Sequence, residues 1–194
     1  MTKNTLIPIK EHIPDIHIDM RYSTTDNFTN HIVYKDFASA LLQSIAVDML
    51  MQAHHTLKNI HPSYTFLIWD AARPSYAQQI LWDYVKDTPN AIYIANPSLG
   101  SLHNYGMAVD LTIVNHRFEP LDMGTPFDYF GAISHPEHEP SLLQSGDLSH
   151  EQLSNRLLLR YCMVQAGFIP IPQEWWHFNA CKLEDAIDNY DIIA

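Results

Sequence analysis

His103 and Asp110 lie in the stretch S-L-H-N-Y-G-M-A-V-D at 101–110, and Glu174 and His177 lie in E-W-W-H at 174–177. Two imidazoles and a carboxylate make three ligands of a catalytic zinc site, which keeps a further position open for water. Glu174, just before the second imidazole, adds the separate general base that such chemistry needs. Taken singly, each residue has a blander reading: a loop histidine, an aspartate on the wet face of a strand, an aromatic strand with a polar edge. As a set they are informative, because each stretch supplies what the other lacks.

The elements that must position these side chains follow from local pattern. Residues 107–114 alternate, with Met107, Val109, Leu111 and Ile113 on one face and Ala108, Asp110 and Thr112 on the other. An acid in mid-strand is disfavoured and costly to bury unpaired, and a metal is one way to offset that cost. Gly106 lets the chain bend so that His103 comes round beside Asp110. Residues 168–179 read as extended chain with a turn near Pro172, and Trp175 and Trp176 are expected to wall the site against water. Residues 64–69 read as a buried strand running into Asp70. Arg73 follows, with Pro74 opening a helix to about residue 86. Asp70 and Arg73 are either a local salt bridge or an orienting acid and a guanidinium aimed at developing negative charge.

The combined pattern, S-x-H-x-x-G-x-A-x-D followed by E-x-W-H, resembles the D-alanyl-D-alanine dipeptidases of the VanX type, zinc D,D-peptidases that share a fold with the hedgehog signalling domain. The resemblance spans residues 19–179. It takes in Arg21 and Tyr22 with Asp26 and Phe28, Trp69 and Asp70 with Arg73 and Pro74, and Met123 with Phe127 and Asp128. Ala72 departs from the aromatic residue the family usually carries before the arginine. The resemblance implies one Zn²⁺ held by His103, Asp110 and His177, with Glu174 and Arg73 catalytic and Asp70 in support. It also implies that Tyr22 and Asp128 hold the amino end of a dipeptide and that Ser101 binds its terminal carboxylate. The implied reaction is hydrolysis of D-Ala-D-Ala to free D-alanine. A D,D-carboxypeptidase or L,D-peptidase on longer cell-wall peptides is the near alternative. A non-catalytic hedgehog-like zinc module is the distant one, disfavoured because a structural site needs neither Glu174 nor Arg73.

Composition sets the frame. The 194 residues fit one domain with a real core. A formal charge of -11 argues against nucleic acid and anionic membranes as partners. Two distant cysteines make neither a disulfide framework nor a thiolate metal site, and Cys162 reads as a core thiol. No long apolar run or apolar signal core is present, so the chain reads as cytoplasmic. The expected fold is α+β, a mainly antiparallel sheet carrying the site with helices on one face. A helix is expected over 36–58 from Leu41, Leu42, Ile45, Met49, Leu50 and Leu57, with His54 and His55 solvated near its end. Residues 122–149 read as a long functional loop, where Pro136 argues against a helix that would make His135 and His138 ligands. A capping box at Ser149 and Gln152 opens a helix ended by Gly167, and the acidic tail reads as a terminal helix.

Overall fold

The computed structural model describes residues 3–35, 37 and 39–194. In chain order the regular elements are β1 (Leu6–Pro8), α1 (Ile9–His12), β2 (His17–Ile18), β3 (Leu41–Gln43), α2 (Ser44–Ile60), β4 (Thr65–Asp70) and α3 (Ser75–Val85). They continue with β5 (Ala108–Val114), α4 (Glu139–Ser145), α5 (His150–Gln165), β6 (Ile169–Pro170), β7 (His177–Asn179) and α6 (Leu183–Asn189). The class is α+β, as expected.

The main sheet has the order β2-β4-β5-β7-β6. It is mixed: β2 runs parallel to β4, and every other neighbouring pair is antiparallel. β4 and β5 are buried along their whole length. That explains the near-continuous apolar run of β4, and it means the polar face of β5 meets the interior of the site and not solvent. Helices α2 and α5 pack on each other and against β4 and β5. Helix α2 turns Ala46, Val47, Leu50, Ala53 and Leu57 inward, the spacing of an amphipathic stripe. Cys162 is buried in the facing helix.

Several expectations need correction. Positions 36 and 38 of the helix expected over 36–58 lie outside the described residues. Leu41 and Leu42 belong to a strand, and Ile45 is 52% exposed. The strand wins because it pairs with β1 (Leu6↔Gln43, Pro8↔Leu41). His54 is buried, its Nε2 3.0 Å from Thr65 Oγ1, because it falls on the inner stripe of α2. Within 122–149 the chain forms tight turns at Ala132–Ser134 and Pro136–His138 and then helix α4. Pro140 sits in the first turn of α4, where a missing N–H is harmless, and Gly146 ends it at φ 84°. The capping box at Ser149 and Gln152 is present in both directions, and α6 forms in the acidic tail.

Candidate metal centre and active-site cavity

Three elements converge to build the site. In the sheet, Asp110 of β5 stands opposite His177 of β7 on one side and Asp70 of β4 on the other. A register shift between Ile68 and Asp70 sets the second pairing, and such irregularities re-aim side chains beside functional sites. His103 arrives on a 3-10 turn, Leu102–Tyr105. Ser101 Oγ accepts from His103 N, while Asn104 Oδ1 accepts from Ser101 N. Gly106 closes the turn at φ 68°, and a Cβ there would lie 2.6 Å from Leu6 Cδ2. Gln43 fastens the turn from outside: its N donates to Gly106 O and its Nε2 to Tyr105 O. The β1–β3 pair thus holds the turn that carries His103.

The three expected ligands meet. His103 Nε2 is 3.2 Å from His177 Nδ1 and 3.3 Å from Asp110 Oδ2, and His177 Nδ1 is 2.9 Å from Asp110 Oδ1. All three residues are buried, and their donor atoms lie within 4.8 Å of one another. The outward ring nitrogens decide what this group suits. His103 Nδ1 is 2.6 Å from Ala71 O, a carbonyl that can only accept, so that nitrogen carries the proton. His177 Nε2 is 2.8 Å from Asn179 Oδ1. In neutral rings the inward nitrogens are therefore both lone pairs, facing each other and a carboxylate. A cation relieves that convergence, and outward N–H groups on oxygen acceptors are the usual support of metal-bound histidines. Burial alone would raise the Asp110 carboxyl, but His103 and His177 override it and hold it well below the usual carboxylate range. The group fits a metal ion.

Glu174 lies beside the ligands, its Oε2 3.9 Å from His177 Nδ1. Burial pushes its carboxyl up to about 8. Arg73 donates from Nε and NH2 to Asp70 Oδ2 (2.9 and 2.7 Å) and from NH1 to Gln78 Oε1 (2.8 Å). One N–H on each terminal nitrogen remains for a ligand. Asp70 also accepts from Tyr34 Oη, and Asn104 Nδ2 donates to Arg73 O. Burial works against the Arg73 charge, but Asp70 above all keeps the guanidinium protonated. The guanidinium lies over the Tyr22 ring, 5.3 Å from its centre. Tyr22 Oη reaches both carboxylate oxygens of Asp128 at 3.1 and 3.0 Å. Asp128 adopts φ 57°, a left-handed conformation uncommon outside glycine and kept where surroundings over-determine it. Burial, then the nearby Asp110 charge, raises its carboxyl well above the ordinary value.

His103, Asp110, His177, Glu174, Arg73, Ser101, Tyr22 and Asp128 all line one cavity of about 340 Å³. Trp176 lines it too. Trp175 turns the other way, perpendicular to Trp176, and its Nε1 donates to Thr125 Oγ1. Sequence reasoning missed Asn179, Gln78, Tyr34, Asn104 and Tyr93. The H-x-N spacing of His177 and Asn179 was the one readable signal, since alternate strand residues share a face. The others depend on contacts between distant segments.

A buried group of three donors that could hold a metal, with a buried carboxyl beside it in a mixed α+β sheet, is an arrangement that metal-assisted hydrolases use. Comparison with known proteins narrows that class. Residues 2–191 match the family model described as D-ala-D-ala dipeptidase. A D-alanyl-D-alanine dipeptidase of Escherichia coli K12 is 33% identical over 182 residues, covering 90% of this chain and 83% of that protein. Proteins of the same description from Synechocystis (29%, covering 75% of this chain and 71% of that protein) and Enterococcus faecium (25%, covering 88% of each) also match. The chain belongs to the D-Ala-D-Ala dipeptidase family of peptidases. Among the described residues no helix is long and apolar enough to cross a membrane.

Proposed function

We propose that this chain is a single-domain zinc dipeptidase that hydrolyses D-Ala-D-Ala to free D-alanine. The observation that carries the reading is the shared cavity: metal donors, a protonatable carboxyl, a guanidinium and a second acid open onto one space of about 340 Å³, the size class of small-ligand sites. The D-stereochemistry rests on the family and its named relatives.

His103 Nε2, Asp110 and His177 Nδ1 would hold the ion, with zinc favoured by the two-imidazole, one-carboxylate donor set. When bound, zinc supplies Lewis acidity, polarising a carbonyl and lowering the pKa of a water to about 7. The residues of the chain do the rest. Glu174 accepts the proton from the attacking water, because a cation beside it favours its ionised form over the neutral acid that burial imposes. As the C–N bond breaks, Glu174 returns that proton to the leaving amine. The free N–H groups of Arg73 face the negative charge developing on the carbonyl oxygen, and Asp70 and Gln78 hold the fork still. Asp128, presented by Tyr22, pairs with the ammonium of the dipeptide, whose charge favours the ionised carboxylate over the neutral acid that burial favours. The Ser101 hydroxyl takes the terminal carboxylate, since the Ser101 amide is already bonded to Asn104. Trp176 excludes water from one wall.

A cytoplasmic site of action completes the proposal, supported by two cysteines that are both free thiols. Glu174→Gln tests the assignment of the base. The variant is expected to bind zinc as the wild type does and to lose turnover by several orders of magnitude. Undiminished turnover would remove Glu174 from the mechanism.

A further inference from the structure

We propose that His135, Glu137 and His138 form a second divalent transition-metal site, separate from the His103–Asp110–His177 group, which braces the cavity wall through Tyr93. The donor atoms of the three side chains lie within 4.8 Å of one another. His135 Nδ1 is 3.7 Å from Glu137 Oε1, and His138 Nε2 is 3.8 Å from the same oxygen. Bonds of about 2.1 Å at tetrahedral angles place donors roughly 3.4 Å apart, so the two His–Glu distances need only a small contraction around an ion, and the half-exposed His138 ring turns out of its stacked arrangement to aim its lone pair at it.

The backbone makes this geometry where a helix would not. Pro136 opens a 3-10 turn, and His138 N donates to His135 O at 3.0 Å. With three residues per turn, i and i+3 eclipse, so the two imidazoles come to lie on one side. Their rings stack at 5.0 Å and 19°. Pro136 therefore brings the two histidines together, the reverse of its expected effect.

His135 supplies an independent observation. It is 9% exposed, and its Nδ1 is buried with no hydrogen-bond partner among the described residues. Buried polar atoms are seldom left so, and this one lies 3.7 Å from Glu137 Oε1. The other nitrogen, Nε2, is 2.8 Å from Tyr93 Oη. With the tyrosine oxygen accepting from Nε2–H, the Nδ1 lone pair is free to bind metal, and the second nitrogen is anchored as in well-formed histidine sites. Glu137 and His138 are half-exposed on their side chains, which leaves a path for the ion and positions for water. Two imidazoles and a carboxylate suit zinc and its neighbours, and not calcium or magnesium.

The site is connected to the cavity. Tyr93 lines it and stacks on Phe130 at 5.0 Å and 12°. An ion on His135 Nδ1 fixes that ring as an Nε2–H donor, so the Tyr93 hydroxyl proton cannot point back at His135. The second ion thus ties the 3-10 turn to the cavity wall and sets the direction of one hydroxyl there.

Zinc stoichiometry of the purified protein tests this independently of catalysis. The protein is stripped with chelator, dialysed against low-micromolar free zinc and analysed for metal by mass spectrometry. Two zinc ions per chain are expected for the wild type, and one each for His138→Ala and Glu137→Gln. His177→Ala is also expected to retain one, at the second site. Equal zinc contents in the wild type and His138→Ala, with both folded by circular dichroism, would overturn the proposal. Zinc should also raise the melting temperature of His177→Ala, and an unchanged melting temperature and zinc content in that variant would equally refute the second site.

Discussion

Metal-free Glu174→Gln protein should be more stable than the metal-free wild type at neutral pH, by an amount that the site itself sets. Burial holds the Glu174 carboxyl at about 8 in the folded chain, against an ordinary value of 4.5. Between those values the folded state keeps a proton that the unfolded state has released, so stability falls as pH rises through the window. Below about 4.5 both states are protonated and the effect vanishes. At pH 7 the group sits two and a half pH units above its ordinary value. At about 1.4 kcal/mol per unit that amounts to about 3 kcal/mol of lost stability. Glutamine is neutral throughout and feels no such slope. For a chain of this size about 3 kcal/mol corresponds to roughly 6–12 °C in melting temperature. Thermal unfolding of both proteins in chelator, at pH 5 and at pH 8, reads the difference directly. The variant should lead by under about 1 kcal/mol at pH 5 and by about 4 kcal/mol at pH 8, and zinc should shrink the gap by favouring the ionised carboxylate. Parallel pH profiles for the two proteins would refute the claim that burial dominates Glu174.

Three further outcomes follow from the supporting residues. Asn179→Ala removes the acceptor on His177 Nε2 and should weaken zinc binding about 10–100-fold in a chelator competition. Asp70→Ala leaves Arg73 buried without its carboxylate and should cost about 3–5 kcal/mol in urea unfolding, where a loss under 1 kcal/mol would mark the pair as incidental. Gly106→Ala places a Cβ against Leu6 at a positive φ. It should cost about 1–3 kcal/mol and lower zinc affinity as well, because the same turn carries His103.

The two stretches that carry the candidate metal donors stood out in the sequence because their residue types are unusual for their positions: an aspartate in mid-strand, a histidine shortly before a glycine, and a glutamate and histidine flanking two tryptophans. Strand β4, helix α3 and the capped α5 follow from periodicity and capping, which act over a few residues. What stayed hidden depends on distant partners. Leu41–Gln43 extends a helical pattern until β1 arrives to pair with it. His54 reads as solvated until Thr65 meets it. The parallel pairing of β2 with β4 has no local signature. Gln78 and Asn104 look like ordinary helix and turn residues, yet they hold Arg73 from its side chain and from its backbone. The turn at Pro136–His138 shows how a proline that excludes one helix specifies another.

The most direct test of the central claim is release of free D-alanine from D-Ala-D-Ala by the purified zinc-loaded protein, run beside L-Ala-L-Ala and beside D-Ala-D-Ala after chelation. The account predicts fast release from the D,D-dipeptide, little from the L,L-dipeptide, and loss with chelator that zinc restores. No release from D-Ala-D-Ala by folded, zinc-loaded protein, or release that chelation leaves untouched, would contradict it.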